Sequence, residues 1–253
     1  MMATLISPIL LLRLADFFIL SLLPRYGILG AMLADFHTHT YLSDGVLSPM
    51  ELIRRAHVLG LGAIALTDHV GPGSLERVLE EVKKDCLVAR AHWNILAIPG
   101  VELTHLPAAI IPQMAQRAKE LGAWLVVVHG ETLTEPTEPG TNQAALSSRY
   151  VDLLAHPGLI TLEEALLAAR QGIFLELSAR KGHSLTNGHI AQMARQTHAK
   201  LLIASDAHDE EDFLTPSLFR AVGIGAGLTE EELADLQKNA QLLLSRLPVK
   251  ENP

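Results

Sequence analysis

The stretch "ADFHTHTYLSDG", residues 34–45, places two histidines two positions apart, directly after an apolar run and ahead of an Asp-Gly turn. In a β-strand, residues i and i+2 point to the same side, so His37 and His39 direct both imidazole rings at one point. Two neutral imidazoles that converge indicate either a metal ion or a shared polar network. Because a single pair of this kind often arises by coincidence, the rest of the chain has to decide between them.

The chain beyond residue 32 alternates short apolar runs with amphipathic stretches. The predicted strands are "MLADFHT" (32–38), "GAIALTD" (62–68), "ILAIPGVE" (95–102), "AWLVVVH" (123–129), "VDLLAH" (151–156), "GIFLELS" (172–178) and "KLLIASD" (200–206). The predicted helices cover residues 49–59, 75–91, 111–121, 142–148, 162–171, 188–197 and 229–244. Near-continuous apolar strands that alternate with helices indicate a parallel sheet buried on both faces. Repetition of this unit without a break in composition predicts an α/β fold, in which residues 32–253 form one closed or nearly closed β/α barrel.

All but one of the predicted strands end in side chains that can bind a metal ion. These residues are His37, His39, Asp68, His69, Glu102, His105, His129, His156, Asp206 and His208. A β/α barrel assembles its active site at the C-terminal ends of its strands, where the βα loops meet. The sequence therefore predicts a metal centre at that edge, with His37 and His39 as its first two members.

The composition limits the chemistry of this centre. The 253 residues carry a formal net charge of −8, which argues against the basic surface that long duplex nucleic acid requires. The single cysteine, Cys86, excludes an intramolecular disulfide and a thiolate cluster. A metal ion therefore has to be held by imidazole nitrogen and carboxylate oxygen, a donor set that suits Zn, Mn or Fe.

Residues 1–31 form an apolar N-terminal extension unlike the rest of the chain. Its apolar run approaches the roughly 20 residues that a spanning helix needs, yet Arg13 and Asp16 lie in the middle and Pro8 interrupts it. Three interpretations stay open: a membrane-associated segment, a poor signal peptide, and an extension ahead of a true start at Met32. With Met32 as the start, a cytoplasmic protein is expected, and membrane association is expected only through residues 1–31.

The order of these signals resembles the PHP family, which is named after its polymerase and histidinol phosphatase members. The resemblance covers residues 32–224 and rests on "HTHTYLSDG", "TDH", "PGVE", "VVVHGE", "LLAHPG" and "SDAH". The stretches "GVELTH", "VVVHGET" and "ARKGHSLTNGH" are similar to a histidinol-phosphatase-like branch of prokaryotic members. The resemblance implies a distorted, seven-stranded (β/α)7 TIM-like barrel that carries two to three divalent metal ions.

The resemblance also implies how the ligands are shared, with Glu102 as a bridge between the first two ions. The implied ligands of the three ions are, in turn, His37, His39, Glu102 and Asp206; Glu102, His129 and His156; and Asp44, His69 and His208. Some members have histidine at the position of Asp44, so the third site can differ in its affinity or its metal. Glu102, Asp206 and His208 are assigned to catalysis as well as to metal binding.

Further residues are predicted to act on the substrate. The stretch "SARKGHSLTNG" follows the sixth strand, where the strand end offers no evident ligand, and carries Arg180, Lys181 and His183. A guanidinium suits phosphate and lysine acts as a point charge, so these three are predicted to bind a substrate phosphate; a solvated basic loop is the alternative. His105 is a candidate acid for the leaving group, or it caps its loop. Asp68 is predicted to support catalysis by orienting a histidine.

These expectations together predict a metal-dependent phosphoesterase that acts on a small phosphorylated metabolite such as histidinol phosphate. A hydroxide bridging two ions would attack phosphorus while the ions neutralise the charge on the phosphoryl oxygens. One alternative is a phosphodiesterase or exonuclease that acts on nucleotides or short oligonucleotides. An alternative of another class is a regulatory barrel without catalysis. The proline-rich stretch 131–142 either covers the site or only connects two elements, and the oligomeric state stays open.

Overall fold

The computed structural model describes residues 33–249, so the predicted N-terminal extension lies outside the described part of the chain. The strands are β1 (Ala34–Asp35), β2 (Ala63–Leu66), β3 (His69–Val70), β4 (Leu96–Leu103), β5 (Leu125–His129), β6 (Leu153–Ala155), β7 (Phe174–Ser178) and β8 (Leu201–Ala204). The α-helices are α1 (Pro49–Val58), α2 (Leu75–His92), α3 (Ile111–Glu120), α4 (Thr141–Leu146), α5 (Leu162–Gln171), α6 (Asn187–Thr197), α7 (Pro216–Gly225) and α8 (Glu230–Arg246). Within residues 33–249, every helix falls short of the length and apolar character needed to cross a bilayer.

The strands form a parallel sheet in the order β1–β2–β4–β5–β6–β7–β8, with β3 also beside β4. β2 and β3 act as one interrupted strand, because both pair with β4 in the same register. Leu66 lies opposite Pro99, and three residues later His69 lies opposite Glu102. The sheet therefore has seven strand positions, each linked to the next by parallel pairing. This confirms the predicted α/β fold with a distorted, seven-stranded TIM-like barrel.

The barrel approaches closure between its first and last strands. Beyond β1, Thr38 pairs with Ala207 in an isolated parallel bridge. The amide of Asp206 donates to the carbonyl of His37 at 2.9 Å, and the amide of His39 donates to the carbonyl of Ala207 at 2.8 Å. These bonds bring the ends of β1 and β8 together at the C-terminal edge, so residues far apart in sequence face one another there.

The barrel interior and its outer layer form two apolar cores. Alternate strand residues such as Phe36, Ile98 and Phe174 fill the interior, while the others pack against the surrounding helices. Leu243 of α8 and Leu247 join the interior core, and Asn239 of α8 donates a hydrogen bond to the carbonyl of Leu201, the first residue of β8. The last helix therefore closes the N-terminal end of the barrel.

The local sequence explains where several helices begin. The hydroxyl of Ser48 accepts a hydrogen bond from the amide of Glu51, with Pro49 in the first turn of α1. Thr161 and Glu164 form a reciprocal capping box at the start of α5. The helices that link the strands hold the loops at the opposite, C-terminal edge in place.

Candidate metal centre

Two local features position the first pair of histidines. The buried carboxylate of Asp35 accepts hydrogen bonds from the amide of Ser205 at 3.1 Å and from the amide of His37 at 3.4 Å. Burial raises the pKa of Asp35 to about 6, although these donors act in the opposite direction. Gly45 packs against the preceding loop so closely that a Cβ atom would lie 2.4 Å from the carbonyl oxygen of His39. The Asp-Gly turn is therefore needed for the loop to fold back over the strand end.

All of the side chains that the resemblance assigns to metal ions lie together at the C-terminal edge of the barrel. Each belongs to a group of three or more residues whose nitrogen or oxygen donors lie within 4.8 Å of one another. The residues are His37, His39, Asp44, His69, Glu102, His129, His156, Asp206 and His208. The structure thus gathers the predicted set in one place, and the assignment of each residue to a particular ion stays a prediction.

Glu102 lies at the centre of this gathering and is fully buried. Its Oε1 lies 3.4 Å from Nε2 of His37 and 3.7 Å from Nε2 of His156. Its Oε2 lies 2.6 Å from Nδ1 of His69 and 3.7 Å from Nε2 of His39. Burial opposes ionisation, yet the imidazoles of His37 and His69 hold the pKa of Glu102 well below its usual range. The two oxygens of one ionised carboxylate face different imidazoles, which suits a bridging ligand.

Asp206 and the first two histidines form the deepest group. Oδ1 of Asp206 lies 3.2 Å from Nε2 of His39 and 3.8 Å from Nε2 of His37. On its far side, His37 contacts Oε2 of Glu176 through Nδ1 at 2.7 Å. With Glu176 ionised, Nδ1 of a neutral His37 donates to it, and Nε2 keeps its lone pair for the site. Burial raises the pKa of Asp206 to about 7. The nearby ring of His37 acts to lower this pKa, and the negative charge of Glu102 acts to raise it further.

A second group lies nearer to solvent around Asp44, whose side chain is half exposed. Its Oδ2 lies 3.1 Å from Nε2 of His208 and 3.5 Å from Nε2 of His69. His39 approaches the other oxygen of Asp44 through Nδ1 at 3.9 Å. Partial burial opposes ionisation, but contact with His208 and His69 holds the pKa of Asp44 well below its usual range. This group contains the three residues that the resemblance assigns to a third ion, and His39, which it assigns to the first ion, joins them.

His129 has neighbours beyond those that the resemblance implies. Its Nε2 contacts Oε2 of Glu135 at 3.0 Å, and Nε2 of His105 lies 3.6 Å from the same oxygen. The other oxygen of Glu135 lies 3.4 Å from Nε2 of His183. Contact with His129 lowers the pKa of Glu135 to about 2. The stretch 131–142 therefore does more than connect two elements, because it places a carboxylate among three imidazoles.

The sequence interpretation missed two carboxylates of this region, Glu135 and Glu176. Glu176 lies in the middle of β7 and is fully buried. A signal for it is present, since it is a lone acid inside the apolar run "IFLEL", and a buried charge is costly unless it is paired. Glu135 gives no such signal, because its stretch carries Glu131 and Glu138 as well and has no regular period.

The donor atoms of the site fit divalent ions. Several buried atoms have no hydrogen-bond partner within the described part of the chain, and an unpaired buried polar atom costs about 1–3 kcal/mol. Those of the site are Nε2 of His37, both ring nitrogens of His39, Nδ1 of His156, and Oε1 of Glu102 and of Glu176. Burial and neighbouring imidazoles lower the pKa of His39 and of His156 well below the usual range, so both rings stay neutral, as metal ligands must be.

Backbone strain is concentrated in the same region. Non-glycine residues with positive φ in residues 33–249 are His105 (51°), His156 (26°), Asp206 (54°) and His198 (59°). His198 ends α6 as a left-handed cap, while the other three contribute side chains to the site. Such conformations cost on the order of 1–3 kcal/mol and persist where surrounding contacts hold them, often at functional sites.

The candidate centre opens into a pocket of about 440 Å³. Of the residues predicted to contact substrate, Arg180, His183 and His105 line this pocket. Lys181 is exposed and is not among the described residues that line the pocket, so the structure does not bring it to the site. The ring of His183 is buried and stacks on that of His156 with their centroids 4.0 Å apart, which puts His183 among the candidate metal ligands as well.

Asp68 has a different supporting role from the predicted one. Its buried carboxylate accepts hydrogen bonds from the amide of Thr40 at 2.7 Å, the hydroxyl of Thr40 at 2.9 Å and the hydroxyl of Ser43 at 2.9 Å. Asp68 therefore holds the loop that carries Asp44, instead of orienting a histidine ring. The hydroxyl groups of Thr40 and Ser43 point back to the end of the preceding strand, where they donate to the carboxylate of Asp68.

Known proteins resemble this chain over most of its length. A sequence model of the PHP domain matches residues 35–210. An uncharacterised protein of Methanocaldococcus jannaschii is 48% identical over 200 residues, which cover 79% of this chain and 92% of that protein. A probable phosphatase of Thermoanaerobacter sp. (strain X514) is 28% identical over 228 residues, which cover 79% of this chain and 89% of that protein.

A solved structure shows the same fold at low sequence identity. Histidinol phosphate phosphatase from Lactococcus lactis, in complex with zinc, L-histidinol and phosphate, aligns with a TM-score of 0.53 and 15% identity. The alignment covers 78% of this chain and 94% of that one. The match to residues 35–210 spans well over half of the sequence and contains most of the predicted ligand motifs. The chain belongs to the PHP domain family.

Proposed function

We propose that the protein is a metal-dependent phosphoesterase and that it hydrolyses the phosphomonoester of a small metabolite, with histidinol phosphate as the named candidate. The observation that carries this proposal is a set of buried imidazole and carboxylate atoms that have no hydrogen-bond partner among the described residues. These atoms lie next to Asp206 and His156, which line one pocket together with Arg180. A volume of about 440 Å³ suits a small ligand. The probable phosphatase from Thermoanaerobacter and the phosphate-bound histidinol phosphate phosphatase support the same class of substrate.

Two to three divalent ions, Zn, Mn or Fe, fit the groups of donors. The deepest group would share Glu102 with the group that contains His156, while Asp44, His69 and His208 would form the outer site. Bound there, the ions would supply Lewis acidity toward the phosphoryl oxygens and a nucleophile at neutral pH. The protein contributes ligands whose orientation is fixed beforehand, as the contact between Glu176 and His37 illustrates.

Arg180 is the residue proposed to bind the substrate phosphate. Its Nη1 lies 2.8 Å from Nδ1 of His208, and that ring nitrogen also lies 2.9 Å from the carbonyl oxygen of Asp206. If Nε2 of His208 binds an ion, Nδ1 carries the proton and donates to the carbonyl of Asp206. A protonated Nδ1 cannot accept from Arg180, so metal binding would remove this contact, while Nη1 also lies 3.2 Å from the carbonyl oxygen of Asp206. The guanidinium carries several further N–H donors, and a pair of such donors matches a phosphate.

His105 is proposed to protonate the leaving group from the mouth of the pocket. Its side chain is half exposed, and its Nε2 lies 3.6 Å from Oε2 of Glu135. Lys181, in contrast, is exposed outside the pocket lining and serves as a neighbouring control for Arg180.

A phosphate-release screen tests the proposal. Protein supplied with Zn, Mn or Fe is incubated with histidinol phosphate, phosphotyrosine, nucleoside monophosphates and dinucleotides, and Asp206→Asn serves as the inactive control. The proposal predicts phosphate release from at least one small monoester that is lost in the variant. Preferential cleavage of dinucleotides would identify the phosphodiesterase alternative. Metal-loaded protein that cleaves none of these esters would favour a barrel without catalysis.

A further inference from the structure

The loop that follows β5 is fixed at its base. Oε1 of Glu131 accepts hydrogen bonds from the amides of Gly140 at 2.9 Å and Asn142 at 3.0 Å. In return, the side-chain oxygen of Asn142 accepts from the amide of Glu131 at 3.0 Å, and its NH₂ group donates to the carbonyl of Pro157 at 2.9 Å. These bonds tie both ends of the loop to each other and to the strand end of β6, so the tip is presented in a defined position.

The tip of this loop directs Glu135 into the pocket. The hydroxyl of Thr132 lies 2.7 Å from Nδ1 of His183. The hydroxyl of Thr137 donates a hydrogen bond of 3.2 Å to the backbone carbonyl of Gly130. Between these two anchors, Oε2 of Glu135 meets Nε2 of His129 at 3.0 Å and Oε1 meets Nε2 of His183 at 3.4 Å. Glu135 therefore reaches the ring that the resemblance assigns to the second ion.

The chemistry of this contact calls for a cation between the two groups. Nδ1 of His129 lies 3.1 Å from the carbonyl oxygen of Gly130, to which it would donate when it carries the proton of the neutral ring. Nε2 then directs a lone pair at a carboxylate oxygen 3.0 Å away, so the contact needs a bridging cation, which is either a second proton on the ring or a metal ion that both atoms bind. Metal–ligand bonds of about 2.0–2.2 Å place two neighbouring ligands of one ion roughly 2.8–3.6 Å apart when the angle between the bonds is about 90–110°. The distance between His129 and Glu135 lies in this range.

We propose that Glu135 is a further metal ligand, which binds the ion held at His129 from the side of the loop. This assignment rests on the metal dependence in the proposed function, and it adds a ligand outside the set that the strand ends provide. It also couples the loop to metal loading, because the carboxylate that binds the ion belongs to the same tip that contacts His183.

A competition titration tests the assignment by metal binding alone. Metal-free protein is titrated with Zn²⁺ against a chromophoric chelator, and Glu135→Gln is compared with Glu138→Gln, which removes an exposed carboxylate from the same loop. Glu135→Gln should lower the affinity for one ion by more than about 100-fold. This exceeds the 10–100-fold loss of affinity that follows when a residue that only hydrogen-bonds to a metal ligand is removed. Glu138→Gln should bind all ions as the unaltered protein does.

A shorter carboxylate provides the second variant, in case Glu135→Gln does not fold. Glu135→Asp keeps the charge but withdraws it by one methylene, so the affinity of the same ion should fall by an intermediate factor. A loss below about 100-fold in Glu135→Gln, or wild-type affinity in Glu135→Asp, overturns the assignment of Glu135. Failure of the unaltered protein to bind Zn²⁺, Mn²⁺ or Fe²⁺ in the same titration would overturn the proposed function instead, so the two failures are distinguishable.

Discussion

Replacing Glu176 by glutamine would test whether a carboxylate behind the site orients a metal ligand. Both Glu176 and His37 are fully buried, and Oε2 of Glu176 lies 2.7 Å from Nδ1 of His37. Glutamine has nearly the same volume, so the change leaves no cavity and removes only the charge. Its carbonyl can still accept the proton of Nδ1, but as a neutral partner.

The size of the effect follows from this single contact. A hydrogen bond to a charged group contributes about 1.5–3 kcal/mol and a neutral one about 0.5–1.5 kcal/mol, so the exchange costs the oriented ring roughly 1–1.5 kcal/mol. That difference corresponds to about a five- to thirteen-fold loss of metal affinity, close to the lower end of the range observed for outer partners of metal-binding histidines. The loss of affinity should be confined to the ion bound at His37, and the affinity of the outer group around Asp44 should not change.

The assay combines a Zn²⁺ competition titration with thermal unfolding of the metal-free and metal-loaded protein. Glu163→Gln, on the exposed face of α5, is a matched control because it removes the same charge from a residue outside the described groups of candidate metal donors. Glu176→Gln should lower the gain in Tm on metal binding by roughly 2–6 °C relative to this control, since 1 kcal/mol shifts the Tm of a domain of this size by about 2–4 °C. Equal affinity and equal Tm gain in the two variants would refute the orienting role.

Three further outcomes are expected. Arg180→Ala should lower kcat/KM for a phosphomonoester by roughly 10- to 150-fold, because it removes one charged hydrogen bond of about 1.5–3 kcal/mol, and it should leave the metal content unchanged. Lys181→Ala should leave the kinetics unchanged. Equal kinetics in the two variants would show that Arg180 does not bind the substrate. The pKa of Asp206 is raised to about 7, so the folded metal-free protein holds a proton there that the unfolded chain has released. The stability that Asp206 contributes to the metal-free protein should therefore fall as pH rises from about 4 to about 7, and Asp206→Asn should remove this contribution from the profile of Tm against pH. A chain that begins at Met32 should fold and keep full activity, and loss of folding on that truncation would show that the preceding residues stabilise the barrel.

The sequence was sufficient for the strand ends because most of the candidate ligands lie at or close to the end of an apolar run that must be buried. His129 and His156 directly follow such runs, and parallel strands bring these ends to one edge whatever the details of packing. The capping signals at Ser48 and Thr161 likewise act within a few residues, so the starts of their helices are predictable.

The features that were missed depend on contacts between distant segments. The role of Asp68 is set by Thr40 and Ser43, which the sequence alone does not place beside it. α7 was not predicted, because its two glycines, Gly223 and Gly225, weaken the helical pattern. The cap at Thr215 marks only the start of the helix and says nothing about the residues that follow. Glu135 approaches His129 only because hydrogen bonds at the base of its loop fix the path of the tip.

The claim that the strand ends form a metal centre is tested most directly by counting ions. Protein purified without chelator and equilibrated with Zn²⁺, Mn²⁺ or Fe²⁺ is passed through a desalting column, and its metal content per chain is measured by elemental analysis. We expect two to three ions per chain, and a lower number in Glu102→Gln, because this buried carboxylate faces four imidazoles within 4.0 Å. A folded protein that retains none of these metals would contradict the account.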